Sequence, residues 1–309
     1  MIYVNLNKVE PKHFPDGSQM LLDLKIFAFN DNSIDIYWEY ENDEECMTLF
    51  YIVNHVREHI PNVKIVLSMP YAPNARQDRV KSPKEVFTLK WFCKFINDLK
   101  FDHVIVLDPH SDVSTALLDR VEVRSEWLNK LLEYSINTAS EDCNDEDFYV
   151  FFPDAGAMKR YKDFKAFKGI NLIYGQKQRD WETGEIQGLE IMDKNGHVLS
   201  PQLGIDFETA GLNGNPVEAF MAEFRPLEDK TILMVDDIIS YGGTLYHSAL
   251  KLKELGAKEI YAYASHTENS VLDREKGTFR KCLDDGTVKK LFTTSSIFHG
   301  KHGSIDIIG

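Results

Sequence analysis

Apolar residues along this chain keep two rhythms, one with a period of two and one near 3.6, and the rhythms take turns from end to end. Residues 33–40 place Ile34, Ile36, Trp38 and Tyr40 on every second position, which predicts a half-buried strand. Leu49, Ile52, Val53, Val56 and Ile60 then recur at helical spacing, and Pro61 ends that helix. A compact apolar run at 63–69 predicts a second strand. Val86, Leu89, Phe92, Cys93, Ile96 and Leu99 mark one face of a second helix, with a strand after it at 103–107. The second half repeats the plan, with strands predicted over 149–152, 170–174, 231–235 and 259–264. Helices are predicted over 161–167 and 244–255, the latter closed by Gly256. Strands alternating with helices predict an α/β architecture with mainly parallel sheets.

Two stretches break the rhythm. Residues 137–147, NTASEDCNDED, are polar and acidic and read as a linker or exposed loop, which divides the chain into domains 1–140 and 141–309. Residues 185–225 are less regular, but Asn195-Gly196 between two apolar segments predicts a β-hairpin there.

Charge narrows the chemistry. The 309 residues carry a formal net charge of −14, the wrong sign for a general nucleic-acid binder. Any phosphate site must therefore be local, made of a few placed cations, backbone N–H groups and a metal. No apolar run reaches the ~18 residues of a membrane span, and the first residues lack the basic start and apolar centre of a secretory signal. Cys46, Cys93, Cys143 and Cys282 lie far apart without metal-ligand spacing. Reduced thiols in a cytoplasmic protein are the expectation.

The strongest local signal is ILMVDDIISYGGTL at 232–245. A buried strand runs into Asp236 and Asp237, then a glycine turn at Gly242 and Gly243, then a helix start at Thr244. Glycines fold the backbone tightly and expose successive N–H groups, and the helix N-terminus adds partial positive charge, which together suit a phosphate. The two carboxylates suit the vicinal hydroxyls of a ribose ring. An ordinary turn with an aspartate cap would use the same residue types.

At this motif the chain resembles the diphosphate-sugar loop of type I phosphoribosyltransferase folds, and further segments resemble one family in particular, ribose-phosphate pyrophosphokinase or PRPP synthetase. PYAPNARQDR at 70–79 looks like that family's ATP segment, which implies nucleotide contacts by Arg76, Gln77, Asp78 and Arg79. FPDG at 14–17 looks like its adenine loop, which implies that Asp16 reaches ATP held by a neighbouring subunit. VLDPHS at 106–111 resembles the segment whose histidine, here His110, binds metal or ATP phosphate. FPDAGAMKR at 152–160 resembles the segment whose aspartate, here Asp154, binds magnesium; the same aspartate would also serve as a helix cap. Lys177 and Arg179 fit the Lys-x-Arg pair of the mobile catalytic loop. These segments fall in family order over most of the chain.

The resemblance implies two tandem type I phosphoribosyltransferase-like domains, Mg2+, ATP and a homo-oligomer that shares its nucleotide site. It implies transfer of the β,γ-diphosphate of ATP to the anomeric hydroxyl of ribose 5-phosphate, giving PRPP and AMP. Asp236, Asp237, Ser240, Tyr241, Gly242, Gly243 and Thr244 would hold the sugar phosphate. The loop departs from the family at Ser240 and Tyr241, which stand where Asp-Thr is usual, and the spacing from Lys177 to Asp236 is longer than usual. A phenol ring in a cradle for a terminal phosphate points to an alternative acceptor, the terminal ribose of ADP-ribose, giving an activated ADP-ribose for NAD synthesis. An inactive, nucleotide-sensing family member is the remaining reading; retention of Lys177, Arg179 and both loop aspartates weighs against it.

Overall fold

The structure, a computed structural model, describes residues 1–26, 33–179, 186–199 and 225–309. It separates into two compact units, one of Met1–Leu128 with Ser295–Phe298, the other of Asn129–Thr294 with His299–Gly309.

The first unit opens with β1 (Ile2–Val4), β2 (Asn7–Lys8) and the small hairpin of β3 (Lys12–His13) and β4 (Gln19–Met20). The alternating strand and helix patterns then follow as β5 (Ser33–Trp38), α1 (Glu44–His59), β6 (Lys64–Ser68), α2 (Thr88–Asp98), β7 (His103–Val106), α3 (Asp112–Leu117) and β8 (Val121–Val123). Among the described residues the sheet runs β2-β1-β5-β6-β7-β8. Pairing is parallel from β5 to β8 and antiparallel at β1. The predicted apolar positions are its core: Ile34, Ile36 and Trp38 from β5, Leu49, Ile52, Val53 and Val56 from α1, and Leu89, Phe92, Cys93 and Ile96 from α2. Val86, counted on the helical stripe from sequence, precedes α2 and is 62% exposed.

α4 (Ser125–Ser140) spans the division between the units. Its buried stripe of Leu128, Leu131, Leu132, Ile136 and Ala139 carries the helix through residues expected to be a linker. The polar letters of 137–140 hid that stripe's end, and the irregular segment is confined to residues after Ser140, with a short 3-10 turn at Asp145–Asp147.

The second unit contains β9 (Phe148–Phe152), α5 (Ala155–Tyr161), β10 (Asn171–Arg179), β11 (Ile186–Asp193), β12 (Thr231–Ile239), α6 (Gly243–Glu254), β13 (Glu259–Thr267), α7 (Thr278–Asp284), β14 (Lys290–Thr293) and β15 (Ile305–Ile307). Among the described residues its sheet runs β11-β10-β9-β12-β13-β14-β15, parallel except where β11 lies antiparallel on β10. The central strands are apolar on both faces, as strands of a covered parallel sheet are: Phe148, Val150, Phe151 and Phe152 on β9 and Ile232 to Val235 on β12 are all buried.

Three sequence expectations meet the structure here. The helix expected over 161–167 is instead α5, which ends where that expectation began, followed by a 3-10 turn at Lys165–Phe167. Asp154 starts it, its Oδ1 accepting the Ala157 N–H at 2.9 Å. Lys177 and Arg179 do not sit on a loop: their backbone is the end of β10, paired with β11 from Ile173↔Asp193 to Arg179↔Ile186, with a register shift between Gln178 and Arg179. The hairpin turn at Asn195-Gly196 is present, with Gly196 at φ +85 and its N–H on the Asp193 carbonyl. Its return arm pairs through Met192↔Val198, and the arm's remainder lies outside the described residues.

Candidate active site

In the second unit the C-terminal ends of β10, β9 and β12 are neighbours, and these are the strand ends at which open α/β sheets bind ligands. β10 there carries the backbone of Lys177 and Arg179, Asp154 follows β9, and β12 ends in Asp236, Asp237 and the glycine turn. One sheet edge thus gathers all the candidate residues of this unit.

Asp236 and Asp237 differ sharply. Asp237 is 3% exposed, and its Oδ1 lies 2.7 Å from Arg160 Nη1 on α5. Asp236 keeps part of its residue surface exposed although its carboxyl is enclosed, and its Oδ1 accepts the Asp237 N–H at 2.9 Å. Burial of its carboxyl, then the neighbouring charge of Asp237, with a smaller push from Asp154, holds the Asp236 pKa well above the usual carboxylate range. Arg160, in the 152–160 segment, carries no signal of its own in the sequence. It comes six residues after Asp154, and only the fold brings that helix beside the end of β12.

The glycine turn is sterically specified. Gly242 has φ +78, and a Cβ there would meet Phe279 Cβ, in a fully buried residue, at 2.3 Å. The Tyr241 carbonyl accepts both the Thr278 hydroxyl (3.1 Å) and the Phe279 N–H (3.2 Å), so the start of α7 braces the turn from behind. In front, α6 begins at Gly243, and Thr244 is exposed. Tyr241 itself is 42% exposed at the rim. The Ser240 hydroxyl is 3.3 Å from that of Ser270, which donates to Glu268 Oε2 at 3.1 Å. A carboxylate thus stands one hydroxyl away from Ser240; no spacing in the sequence announced it.

In the first unit the two remaining segments meet at the ends of β6 and β7. The Met69 N–H donates to the Ile105 carbonyl at 2.8 Å and the Leu107 N–H to the Pro70 carbonyl at 2.9 Å. The starts of the 70–79 and 106–111 segments therefore lie side by side. Gln77 uses its amide oxygen on the Thr88 N–H (3.1 Å) and hydroxyl at the start of α2; what it has for a ligand is its Nε2 donor. Arg79 is exposed, its Nε 3.9 Å from Asp78 Oδ1. Buried Asp108 adopts φ +44 just before His110, an uncommon backbone for a non-glycine residue. Asp16 lies in the β3–β4 turn, where the Ser18 hydroxyl (2.7 Å) and N–H (2.9 Å) hold its carboxyl below the usual range.

Comparison with known proteins finds relatives of one kind. No family model matches the chain. It is 26% identical over 298 residues to the ribose-phosphate pyrophosphokinase of Sulfurisphaera tokodaii, covering 96% of this chain and 87% of the relative. It is 25% identical over 272 residues to that of Saccharolobus solfataricus, covering 86% and 78%. In fold it is similar to the phosphoribosylpyrophosphate synthetase of Mycobacterium smegmatis, with a TM-score of 0.67, 15% identity, and 97% of this chain and 85% of that one covered. The fold is the α/β class of tandem phosphoribosyltransferase-like domains. Within that class, the chain is similar to a divergent ribose-phosphate pyrophosphokinase, the name that these relatives carry.

Among the described residues no helix is long and apolar enough to cross a membrane. All four cysteines are free thiols, Cys93 and Cys282 buried.

Proposed function

We propose that this chain transfers the β,γ-diphosphate of ATP to the anomeric hydroxyl of ribose 5-phosphate, releasing AMP and forming PRPP. The observation that carries the reading is the juxtaposition, on one sheet edge, of the Asp236–Asp237 pair, the left-handed Gly242 turn and the end of β10. Successive N–H groups from Gly243 onward would take the 5-phosphate. Asp236, the more exposed of the pair, would accept from a ribose hydroxyl, while Asp237 is steadied by Arg160.

The anomeric oxygen attacks the β-phosphorus in line with departing AMP, so alignment and positive charge matter more than covalent chemistry by the protein. Lys177 and Arg179 would neutralise the transferring group. Arg76, Gln77, Asp78, Arg79 and His110 would hold ATP, with Asp16 contributed by a neighbouring copy in a homo-oligomer. Magnesium fits the residues present, because Asp154, Asp236 and Asp237 offer hard oxygen donors. Burial first, and then repulsion within this acidic group, raises the Asp236 pKa, and a dication would relieve the repulsion. Asp154 would hold it, with His110 as the second candidate, and bound metal supplies charge neutralisation at the phosphate oxygens.

One observation favours a second reading. Tyr241 leaves 42% of its surface exposed beside the cradle, where a sugar whose 5-phosphate continues into AMP would run past it. That substrate is ADP-ribose, and the product would be its pyrophosphorylated form. The test of both readings is AMP release from Mg-ATP with each acceptor in turn. Activity with ribose 5-phosphate alone supports the first reading, activity with ADP-ribose alone replaces it with the second, and release with neither returns the chain to the nucleotide-sensing class.

A further inference from the structure

We infer that His55, Glu58 and His59, on the outer side of the last turns of α1, form a binding site for a borderline transition-metal dication of the Zn2+ type. The site is unrelated to the phosphate chemistry above and stands whether or not that reading holds.

α1 buries Thr48, Leu49, Ile52, Val53 and Val56. His55 is half-buried while Glu58 and His59 are exposed. The i, i+3, i+4 spacing puts all three side chains on one patch of helix surface. Their ligand atoms all lie within 4.8 Å of one another, and the two imidazole rings are 4.1 Å apart between centroids. Bonds of about 2.0–2.1 Å at tetrahedral angles ask for ligand separations near ~3.3 Å; rotation of exposed side chains on a fixed helix closes that gap.

The choice of ring nitrogen on His59 is also set. His59 Nδ1 lies 2.9 Å from the His55 carbonyl oxygen. A carbonyl oxygen only accepts, so Nδ1 is the donor and Nε2 is the ring nitrogen left to face a metal. Imidazoles that ligate metals are commonly oriented by this kind of hydrogen bond on the other nitrogen.

Charge favours the same occupant. The helix C-terminus carries partial negative charge, which Glu58 reinforces. The neighbouring cation, Arg57, is engaged by the carbonyl oxygens of Leu99 at 3.2 Å and Lys100 at 2.5 Å. Two imidazole nitrogens and one carboxylate oxygen select Zn2+, Ni2+ or Cu2+ over Mg2+, which asks for oxygen ligands. Three protein ligands leave a position for water or a further ligand.

The test is calorimetric titration of the full chain with ZnCl2 in the absence of nucleotide. The wild-type chain is compared with His55→Gln/His59→Gln, His59→Gln and Glu58→Gln. The double variant should bind one Zn2+ per chain fewer. His59→Gln alone, an exposed change, should weaken the same event, as should Glu58→Gln by about tenfold. Zn2+ should raise the melting temperature of the wild type more than that of the variants. Bound Cu2+ should show hyperfine coupling to two nitrogens. Identical Zn2+ stoichiometry and affinity in wild type, double variant and His59→Gln would overturn the site, as would Mg2+ competing for it at equal concentration.

Discussion

Arg160 Nη1 lies 2.7 Å from Asp237 Oδ1, and the carboxylate it meets is 4% exposed while the arginine side chain keeps 27% of its surface. The pair ties α5 to the end of β12. It also divides the acidic dipeptide into a neutralised member and a more exposed one.

Removing the arginine should therefore strand a buried charge. Arg160→Met is expected to cost about 2–4 kcal/mol, at or below the usual range for breaking a buried pair because Arg160 is partly solvated. Asp237→Asn placed on top of Arg160→Met should recover much of the loss, since the uncompensated charge goes with it. Denaturant melts of the two single variants and the double variant measure this coupling. Additive losses would show that the pair contributes nothing beyond packing.

Asp236 should behave in the opposite way. Its folded-state pKa is raised, chiefly by burial and then by Asp237, so the folded chain binds its proton more tightly than the unfolded chain does. Its contribution to stability is fully present below the ordinary carboxylate pKa of about 4 and declines as pH rises from there through the raised folded value. Asp236→Asn should melt higher than wild type at neutral pH and lose that part of the decline. Thermal melts from acid to neutral pH check it; parallel curves for the two proteins would contradict the assignment.

Gly242→Ala meets two penalties at once, a left-handed φ of +78 and a Cβ placed 2.3 Å from Phe279 Cβ. Together these should cost about 2–4 kcal/mol. Phe279→Leu keeps the Cβ and Cγ that the new methyl would meet, so it should give Gly242→Ala no rescue in thermal melts; a clear rescue would move the conflict to the outer ring atoms.

The sequence showed most of the architecture because its strands and helices each bury one continuous pattern. The stripe on α1 and the alternation on β5 are visible without a fold. The candidate site was legible where its residues are adjacent in sequence, as in the Asp236–Asp237 pair and the Gly242 turn. It was not visible where a partner comes from another element. Arg160 faces Asp237 across 77 positions (160 to 237), and the hydroxyl route from Ser240 to Glu268 passes through Ser270 on the segment after β13. Pattern also misled where polarity hid a helix, as in residues 137–140 of α4, and where a polar strand end is held by its neighbour, as β11 holds the end of β10.

Under the proposed transfer, the cations at the end of β10 act on the transition state. Lys177→Ala or Arg179→Ala should lower the rate of AMP formation by about 10²–10³-fold while melting temperature changes little. A rise in KM with kcat preserved would mean that these residues serve binding only.

Under the proposed transfer, replacing the rim residue Tyr241 tests the choice of acceptor. Tyr241 is held through its own carbonyl by Thr278 and Phe279, so the backbone that carries the ring is braced while the ring keeps 42% exposure. Restoring the family's small hydroxyl with Tyr241→Thr leaves that carbonyl clamp intact and changes only what borders the cradle. If the ring packs on a nucleotide extension, stacking worth about 0.5–1.5 kcal/mol is lost, and kcat/KM for ADP-ribose should fall about three- to tenfold relative to ribose 5-phosphate. If the ring only occludes a cradle meant for a terminal phosphate, ribose 5-phosphate should gain in absolute kcat/KM while ADP-ribose stays without activity. Competition between the two acceptors in one reaction, with products separated by charge and mass, reads both outcomes directly. Unchanged kcat/KM for both acceptors would remove Tyr241 from acceptor choice and leave the described loop with only the Ser240–Ser270–Glu268 route as its departure of consequence.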